Sequence, residues 1–141
     1  MGVYRLGVND IDLAIKVCII FNSIKSDKEK VHSFLSDSKN YLLVYMVGEE
    51  VAGYAYGYEL QRFDGKNSMM YIHAIEVIPE YRKQGIGTRI INEIADICRK
   101  NGFIKMFLIT FKSNIPAVSL YESTNGKAKH DDYVVFDYEI S

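Results

Sequence analysis

Tyr81-Arg82-Lys83-Gln84-Gly85-Ile86-Gly87-Thr88 places two glycines between a strand-like run and an amphipathic helix. The preceding residues, 71–78, are rich in β-branched and aromatic side chains, a composition typical of a strand. After the glycines, apolar side chains recur at helical spacing, at Ile86, Ile90, Ile91, Ile94, Ile97 and Cys98. The stretch is therefore predicted to be a tight turn that leads from a strand into a helix N-terminus.

Such a turn is suited to binding a phosphate or diphosphate. Glycines at positions 85 and 87 let the backbone approach a ligand and expose successive N–H groups. The helix start adds roughly half a positive charge. The pattern is not a P-loop, because Thr88-Arg89 follows Gly87, and it lacks the third glycine of the dinucleotide fingerprint. The alternative is a strand-to-helix turn that binds no ligand.

Length and charge narrow the class of protein. The chain has 141 residues and a formal net charge of -1, which favours one domain over residues 1–141 and disfavours a nucleic-acid partner. No apolar run approaches the ~20 residues needed to cross a bilayer. We therefore expect a cytoplasmic protein with no membrane partner. Cys18 and Cys98 fall on apolar helix faces, so we expect reduced core thiols rather than a disulfide or a metal site.

The pattern of elements predicts an α/β domain. Asn9 or Asp10 is expected to cap a first helix, and Gly48-Glu49-Glu50 to turn one strand into the next. Gly53 and Gly57 suggest a bulge or a close backbone approach, and Asn101-Gly102 a left-handed helix cap. The remaining predicted elements are a short helix around 31–35, strands over 41–47, 51–60, 104–110 and 133–140, and a helix over 114–122.

Two motifs identify a family resemblance. Arg82-Lys83-Gln84-Gly85-Ile86-Gly87 matches the R-x-x-G-x-G signature of the GNAT superfamily of acyl-CoA-dependent N-acetyltransferases. Asn114-x-x-Ala117-x-x-Leu120-Tyr121 matches the second GNAT motif, at the usual distance after the strand over 104–110. The resemblance implies an α/β (α+β) fold, with helices on both faces of a mixed, mostly antiparallel sheet. In that fold the strands over 70–78 and 104–110 splay apart.

The resemblance also implies that acetyl-CoA is the acetyl donor, with no metal. Its pantetheine arm would enter the gap between the splayed strands and pair with backbone groups of Ile75, Glu76 and Val77. Asn114 would contact the arm from the other side. The pyrophosphate would be held at the signature turn, by Arg82, Lys83, Gln84, Gly85, Ile86, Gly87 and Thr88.

At finer resolution the chain resembles the aminoglycoside 3-N-acetyltransferases. The matching segments are Arg5-Leu6-Gly7, Val51-Ala52-Gly53, Arg62-Phe63-Asp64, Tyr71-Ile72 and Phe136-Asp137. This resemblance implies an aminoglycoside-like acceptor, with Tyr71 and Asp137 as substrate-binding residues. The chain departs from that family on the central strand, where His73-Ala74 replaces an aromatic followed by an acid.

The chemistry requires a base, because an alkyl ammonium must lose a proton before it attacks a thioester. His73 is the first candidate, since imidazole accepts a proton near neutral pH and a regular strand would place Tyr71, His73 and Ile75 on one face. The related arylalkylamine N-acetyltransferases carry histidines at the positions of Tyr71 and His73. Glu76 is the second candidate, on the opposite face unless a bulge turns it. A histidine that is only packed within the sheet remains the alternative.

The resemblance implies that Tyr121 is the acid that protonates the departing thiolate. An aromatic side chain packed on the helix is the alternative. No covalent acyl-enzyme is required, because holding the amine beside the thioester and polarising its carbonyl account for most of the acceleration.

The overall interpretation is acetyl transfer from acetyl-CoA to a primary amine of a small cationic molecule. Acidic side chains that could attract such a substrate are Glu59, Asp64, Asp131, Asp132, Asp137 and Glu139, although solvated surface charges are the alternative. The other hypotheses are an acetyltransferase for a polyamine, an amino-acid derivative or a protein amine, and a catalytically weak acyl-CoA sensor. A homodimer is compatible with the sequence.

Overall fold

A computed structural model describes residues 2–140, which form a five-stranded sheet and four α-helices. Short 3-10 turns at Val8–Asp10 and Pro79–Tyr81 precede α1 and the signature turn. In chain order the elements are β1 (Gly2–Arg5), α1 (Ile11–Asn22), α2 (Lys28–Ser36), β2 (Asn40–Val47), β3 (Glu50–Leu60), β4 (Met69–Val77), α3 (Ile86–Lys100), β5 (Lys105–Leu108) and α4 (Ile115–Ser123).

The sheet is mostly antiparallel, as predicted. The strands lie in the order β1-β2-β3-β4-β5; the first three pairings are antiparallel and only β4 and β5 are parallel. The α3 crossover makes the parallel pairing possible. β5 pairs with β4 only from Met69 to Ile72, whereas β4 continues to Val77. The two central strands therefore part beyond Ile72, and β5 is shorter than the predicted 104–110.

Helices cover both faces of the sheet. The apolar stripe of α3, which includes Ile90 and Ile94, packs on one face with Leu43 and Met70. On the other face α1 supplies Ala14 and Val17 to a second cluster with buried side chains of β2 and β3. The predicted two-faced arrangement is confirmed. Within residues 2–140, no helix combines the length and the apolar character needed to span a bilayer.

The long helix α3 begins and ends as the sequence predicts. Gly85 precedes its first turn with a φ of 80°, and Gly102 follows its last turn with a φ of 69°. The Phe103 amide donates to the Cys98 carbonyl oxygen at 2.9 Å, which closes the left-handed cap. Cys98 is buried and Cys18 half-buried, and both are free thiols. Burial raises the pKa of Cys98 to about 11, so its thiol stays neutral.

Two local predictions differ from the structure. Asp10 precedes α1, but its carboxylate accepts a hydrogen bond from the Gly7 amide at 2.7 Å and does not cap α1. The predicted strand over Tyr133–Ile140 is wrong, because these residues form no strand. The apolar side chains of that segment have β propensity, but within residues 2–140 no hydrogen bond joins it to the sheet. A strand requires such a partner.

Candidate active site

The opening between β4 and β5 leads into a groove of about 380 Å³. One wall is the end of β4, which contributes His73 and Glu76, and another is α4, which contributes Tyr121. Tyr54 of β3 and Asn22 at the end of α1 also line it. The groove therefore brings together two candidate proton acceptors and the tyrosine expected to act as an acid.

A bulge in β4 sets which side chains face this groove. Tyr56 pairs with Ala74 and Gly57 pairs with Ile72, so His73 is the extra residue on β4. The close approach occurs at Gly57, where an added Cβ would lie 2.4 Å from the Tyr71 carbonyl oxygen. A glycine is thus required on β3 opposite the bulge. The suggestion of a bulge or close approach at Gly57 is confirmed.

The bulge reverses the expected facing of the residues that follow it. The prediction that Tyr71, His73 and Ile75 share one face is wrong for Ile75, which packs against the cluster on the α3 side. Ala74 instead packs against the cluster on the α1 side. Glu76, two residues after Ala74, is turned into the groove. Glu76 is thereby placed on the same side as His73, as the sequence argument allowed if a bulge intervened.

Aromatic rings surround the exposed imidazole of His73. Ring centroids of Tyr56, Tyr71 and Tyr58 lie 4.8, 5.9 and 6.5 Å from that of His73. Aromatic faces of this kind attract cations. Tyr71 is predicted at this site from the sequence, whereas Tyr54, Tyr56 and Tyr58 are not. Their alternation along one strand was the signal that could have revealed them.

Tyr54 is the groove residue whose pKa is shifted most. Burial, followed by the negative charge of Glu76, raises the pKa of Tyr54 well above its usual value of 10.0. Tyr54 therefore remains a neutral phenol next to the Glu76 carboxylate. A neutral phenol can donate its proton in a hydrogen bond and so hold a neighbouring carboxylate in place.

Tyr121 lies half-buried on α4, against the same groove. Burial raises the pKa of its hydroxyl above 10.0. The side chain consequently keeps its proton at neutral pH and can act as a hydrogen-bond donor. That Tyr121 protonates the departing thiolate stays a prediction.

The signature turn has the backbone shape that the sequence suggests. Lys83 and Gly85 adopt positive φ values of 62° and 80°. The Arg82 Nε donates to the Val77 carbonyl oxygen at 3.0 Å, which ties the turn to the end of β4. Gln84 donates to the Glu80 carbonyl oxygen at 3.3 Å. The first-turn amides of α3 have no intrahelical acceptors and are available to an anion.

The two glycines of this turn have different roles. An added Cβ at Gly85 would meet no atom within 4 Å, so this position needs glycine for its positive φ. An added Cβ at Gly87 would lie 2.9 Å from a methyl group of Leu120. A side chain at position 87 would therefore have to displace the end of the Leu120 side chain, where α4 approaches the start of α3. Ile86 is buried, so only its amide could face a ligand, while Thr88 completes the first turn.

Asn114 occupies the groove wall at the start of α4. Its side-chain oxygen accepts a hydrogen bond from the Ala117 amide at 3.3 Å and caps the helix. Among residues 2–140, no acceptor within hydrogen-bonding distance engages its side-chain nitrogen. Asn114 can thus fix α4 and still offer a donor to the groove.

The predicted acidic residues do not converge on the groove. Asp64 is paired with Arg62, and Glu59 accepts a hydrogen bond from the Ser68 hydroxyl at 2.6 Å. Asp137 lies on the exposed segment after α4 and does not line the groove. Of the candidate substrate-binding residues, Tyr71 is therefore adjacent to His73, whereas Asp137 is separate from the groove.

A sequence model of the acetyltransferase (GNAT) family matches residues 15–126, most of the chain. The chain belongs to the GNAT acetyltransferase family. The match covers the parted strands, the signature turn, α3 and α4. The groove described above is therefore built from the part of the chain that defines this family.

Related GNAT proteins differ in the substrates that their names state. Mouse thialysine N-epsilon-acetyltransferase is 37% identical over 76 residues, which is 53% of this chain and 44% of that protein. The chain thus spans less than half the length of this relative. An aminoglycoside acetyltransferase from an uncultured soil metagenomic sample, solved with sisomicin, has a TM-score of 0.88 at 22% identity, over 99% and 96% of the two chains. A second aminoglycoside acetyltransferase from such a sample, HMB0005, has a TM-score of 0.89 at 21% identity, over 99% of this chain and 98% of that chain.

Acetyl-CoA is the donor in the GNAT family, and the residues present fit its parts. The edge of β4 from His73 to Val77 is not paired with β5, so its backbone groups are open to an extended ligand. The α3 amides and the basic residues Arg82 and Lys83 suit a diphosphate. When bound, acetyl-CoA would supply the acetyl group as a thioester.

Proposed function

We propose that this protein transfers an acetyl group from acetyl-CoA to a primary amine by direct attack. The observation that carries the proposal is the parting of β4 from β5 beyond Ile72, beside a groove that contains His73, Glu76 and Tyr121. A strand edge for the donor thus adjoins groups that can exchange protons. Ile75, Glu76 and Val77 would pair with the donor through their backbone, and residues 82–88 and Asn114 would hold its remaining parts.

Each groove residue has a chemical task in this proposal. His73 or Glu76 accepts the proton of the ammonium, directly or through water, so that the free amine can attack. Tyr121 donates its proton toward the departing sulfur. Neighbouring aromatic rings and the Glu76 carboxylate hold the cation, which makes the reaction effectively intramolecular.

The identity of the base can be decided by pH dependence. A base must be unprotonated to act, so the rate should decline as pH falls through its pKa. We expect His73→Gln to lower kcat/KM by at least ~10-fold and to remove this acidic limb, within the range for general bases. Glu76→Gln serves as the matched comparison. An acidic limb that persists in His73→Gln but disappears in Glu76→Gln would assign the base to Glu76.

For the acceptor we propose a small polycationic amine, with an aminoglycoside bearing a free 3-amino group as the specific candidate. Two features support it: the aromatic and carboxylate lining of the groove, and the motif matches at Arg62-Phe63-Asp64 and Phe136-Asp137. The similarity in fold to two aminoglycoside acetyltransferases is consistent with it but does not determine the acceptor.

A second candidate is a thialysine-like amino-acid derivative. It is favoured by the 37% identity to the mouse thialysine enzyme, which is higher than the identity to either aminoglycoside enzyme but covers only 53% of this chain. Such an acceptor carries fewer positive charges than an aminoglycoside. Salt screens exposed charges, so added salt should raise the KM for such an acceptor less than the KM for an aminoglycoside.

A panel of amines separates these candidates. Release of CoA from acetyl-CoA should be measured with sisomicin, thialysine, spermidine and a lysine-containing peptide. Turnover highest with sisomicin supports the aminoglycoside assignment, and turnover only with the other amines refutes it. If CoA binds but none of the acceptors releases it, the protein is a sensor and the proposed activity is wrong.

The donor site is tested at Gly85. We expect Gly85→Val to weaken CoA binding by at least tenfold, about 1.4 kcal/mol, because a β-branched residue does not tolerate positive φ and would distort the turn. Gly65→Val is the matched control, since Gly65 has the same φ of 80° and no atom within 4 Å of an added Cβ. Calorimetry should show unchanged affinity in Gly65→Val. If both folded variants bind CoA as tightly as the unchanged protein, the turn is not the phosphate site.

A further inference from the structure

Tyr54 is a buried tyrosine whose hydroxyl has no role in the reaction proposed above. The residue is only 3% exposed, yet it lines the groove together with His73 and Glu76. A buried phenol normally has a hydrogen-bond partner, because an unpaired hydroxyl in apolar surroundings costs free energy. The polar groups next to this hydroxyl therefore indicate what Tyr54 does in the groove.

The register of β3 and β4 places Tyr54 directly opposite Glu76. Side chains of directly opposite residues in an antiparallel pair lie on the same face, with Cβ atoms roughly 5 Å apart. Glu76 is exposed and also lines the groove. An exposed glutamate has several rotamers available, so a neighbouring donor is needed to hold its carboxylate in one place.

The ring of Tyr54 is held by aromatic packing. The centroid of the Phe21 ring, from α1, lies 4.4 Å from that of Tyr54, and the Tyr56 ring stacks on the same ring at 6.2 Å. Tyr54 also belongs to the buried cluster on the α1 side of the sheet. Close packing of this kind restricts the ring and so fixes the direction of its hydroxyl.

Asn22, the last residue of α1, is the second polar neighbour of this hydroxyl and also lines the groove. Burial is the main cause that raises the pKa of Tyr54; the Glu76 carboxylate raises this pKa further, whereas Asn22 lowers it. The two opposite effects correspond to opposite polarities. A carboxylate accepts the phenol proton in a hydrogen bond, and an amide N–H donates to the phenol oxygen.

We propose that Tyr54 is a positioning residue, whose hydroxyl accepts a hydrogen bond from the Asn22 amide and donates one to the Glu76 carboxylate. The chain of hydrogen bonds runs from the end of α1 through β3 to β4 and fixes the carboxylate toward the amine of the acceptor. Successive hydrogen bonds of this kind polarise and strengthen one another. The inference rests on the proposed function, to which it adds Tyr54 and Asn22 as residues on which transfer depends.

A fixed carboxylate serves either task that the proposed function leaves open for Glu76. If Glu76 takes the proton of the ammonium, removal of the Tyr54 hydroxyl should mainly lower kcat. If Glu76 only holds the ammonium, the same removal should mainly raise KM. In both cases the effect of the hydroxyl passes through the Glu76 carboxylate.

A double-mutant cycle tests this dependence. Tyr54→Phe keeps the packed ring and should lower kcat/KM by roughly tenfold, the loss expected for one hydrogen bond to a charged group. In a Glu76→Gln background the same change should alter kcat/KM by no more than about twofold. Tyr41→Phe is the matched control and should leave kcat/KM unaltered, because Tyr41 is similarly buried but packs on the α3 side of the sheet.

Two results of the cycle would overturn the inference and leave acetyl transfer itself intact. One is an equal loss from Tyr54→Phe in both backgrounds, and the other is a Tyr54→Phe variant as active as Tyr41→Phe. A tyrosine that only stabilises the fold would lower the melting temperature without any dependence of kcat/KM on Glu76.

Nuclear magnetic resonance tests the hydrogen-bonded chain without acetyl transfer. In protein labelled with ¹³C at tyrosine Cζ, the Tyr54 signal is identified by its absence from Tyr54→Phe. This signal should move in Glu76→Gln and in Asn22→Leu, because the Cζ shift responds to hydrogen bonds of the attached hydroxyl, whereas the Tyr41 signal should stay in place.

A Tyr54 signal that is unchanged in Glu76→Gln refutes the inference even if the enzyme is active. If the signal moves but the unchanged protein acetylates none of the amines, the proposed function is wrong and the hydrogen-bonded chain stands. The two failures are therefore distinguishable.

Discussion

Tyr121→Phe is expected to lower kcat by ~10²–10⁴-fold while acetyl-CoA still binds, if the hydroxyl donates its proton to the departing sulfur. Phenylalanine keeps the ring that packs against the groove and removes only the donor. Because burial raises the pKa of this hydroxyl above 10.0, the wild-type side chain should remain protonated across the neutral range. Loss of its proton should therefore not limit the rate below pH 10.

Single-turnover kinetics at saturating donor measures this effect apart from binding. Tyr4→Phe is the control, because Tyr4 is an exposed tyrosine on β1, away from the groove, and its change should leave kcat unaltered. Weaker CoA affinity with an intact rate in Tyr121→Phe would instead identify Tyr121 as a packing residue.

Gly57→Ala should lower folding stability more than a methyl group added at Gly2 or Gly53, the other glycines of the sheet. The new Cβ would lie 2.4 Å from the Tyr71 carbonyl oxygen, so the backbone of β3 or β4 must move. We expect the free energy of unfolding to fall by about 1–3 kcal/mol, as for other overpacked sites. The melting temperature should drop by roughly 2–4 °C per kcal/mol. Because the bulge at His73 lies opposite Gly57, kcat/KM should fall as well.

Gly7→Ala adds the same methyl group where the nearest atom is 3.9 Å away and the φ is -123°. Denaturant unfolding of the two variants should therefore differ clearly. If Gly57→Ala is as stable as Gly7→Ala, the close approach of β3 to β4 does not exist in solution.

The sequence alone was sufficient to predict the elements whose structure depends on a local pattern of residues. Neighbouring residues determine three features of this kind, and all three were predicted. They are the apolar period of α3, the glycine turn before it and the Asn101-Gly102 cap. The mixed sheet and its parted central strands came from family motifs. They could not have been obtained from composition or periodicity.

The facing of the groove residues could not be predicted because it depends on pairing between strands. A bulge or a close backbone approach was expected at Gly57, and both occur there, but the extra residue is His73 on β4. One inserted residue reverses the side on which every later residue of a strand faces. Ile75 was therefore assigned to the wrong face, and Glu76 gained a place in the groove.

The segment over 133–140 shows the limit of intrinsic propensity. Its β-branched and aromatic residues predict a strand, yet within residues 2–140 no neighbouring strand completes the hydrogen bonds. Strand propensity mainly measures how well side chains pack on a sheet that already exists. The prediction therefore failed at the level of tertiary contacts.

We expect the close approach of Leu120 to Gly87 to couple binding of the proposed donor to binding of the proposed acceptor. Gly87 lies in the turn proposed for the donor's pyrophosphate, and Leu120 immediately precedes Tyr121. α4 has no fully buried residue, so its position depends strongly on contacts of this kind. A donor that orders the turn should also order Tyr121, and by reciprocity an acceptor that orders Tyr121 should raise donor affinity. Steady-state kinetics should then show synergy between the substrates, with each lowering the dissociation constant of the other.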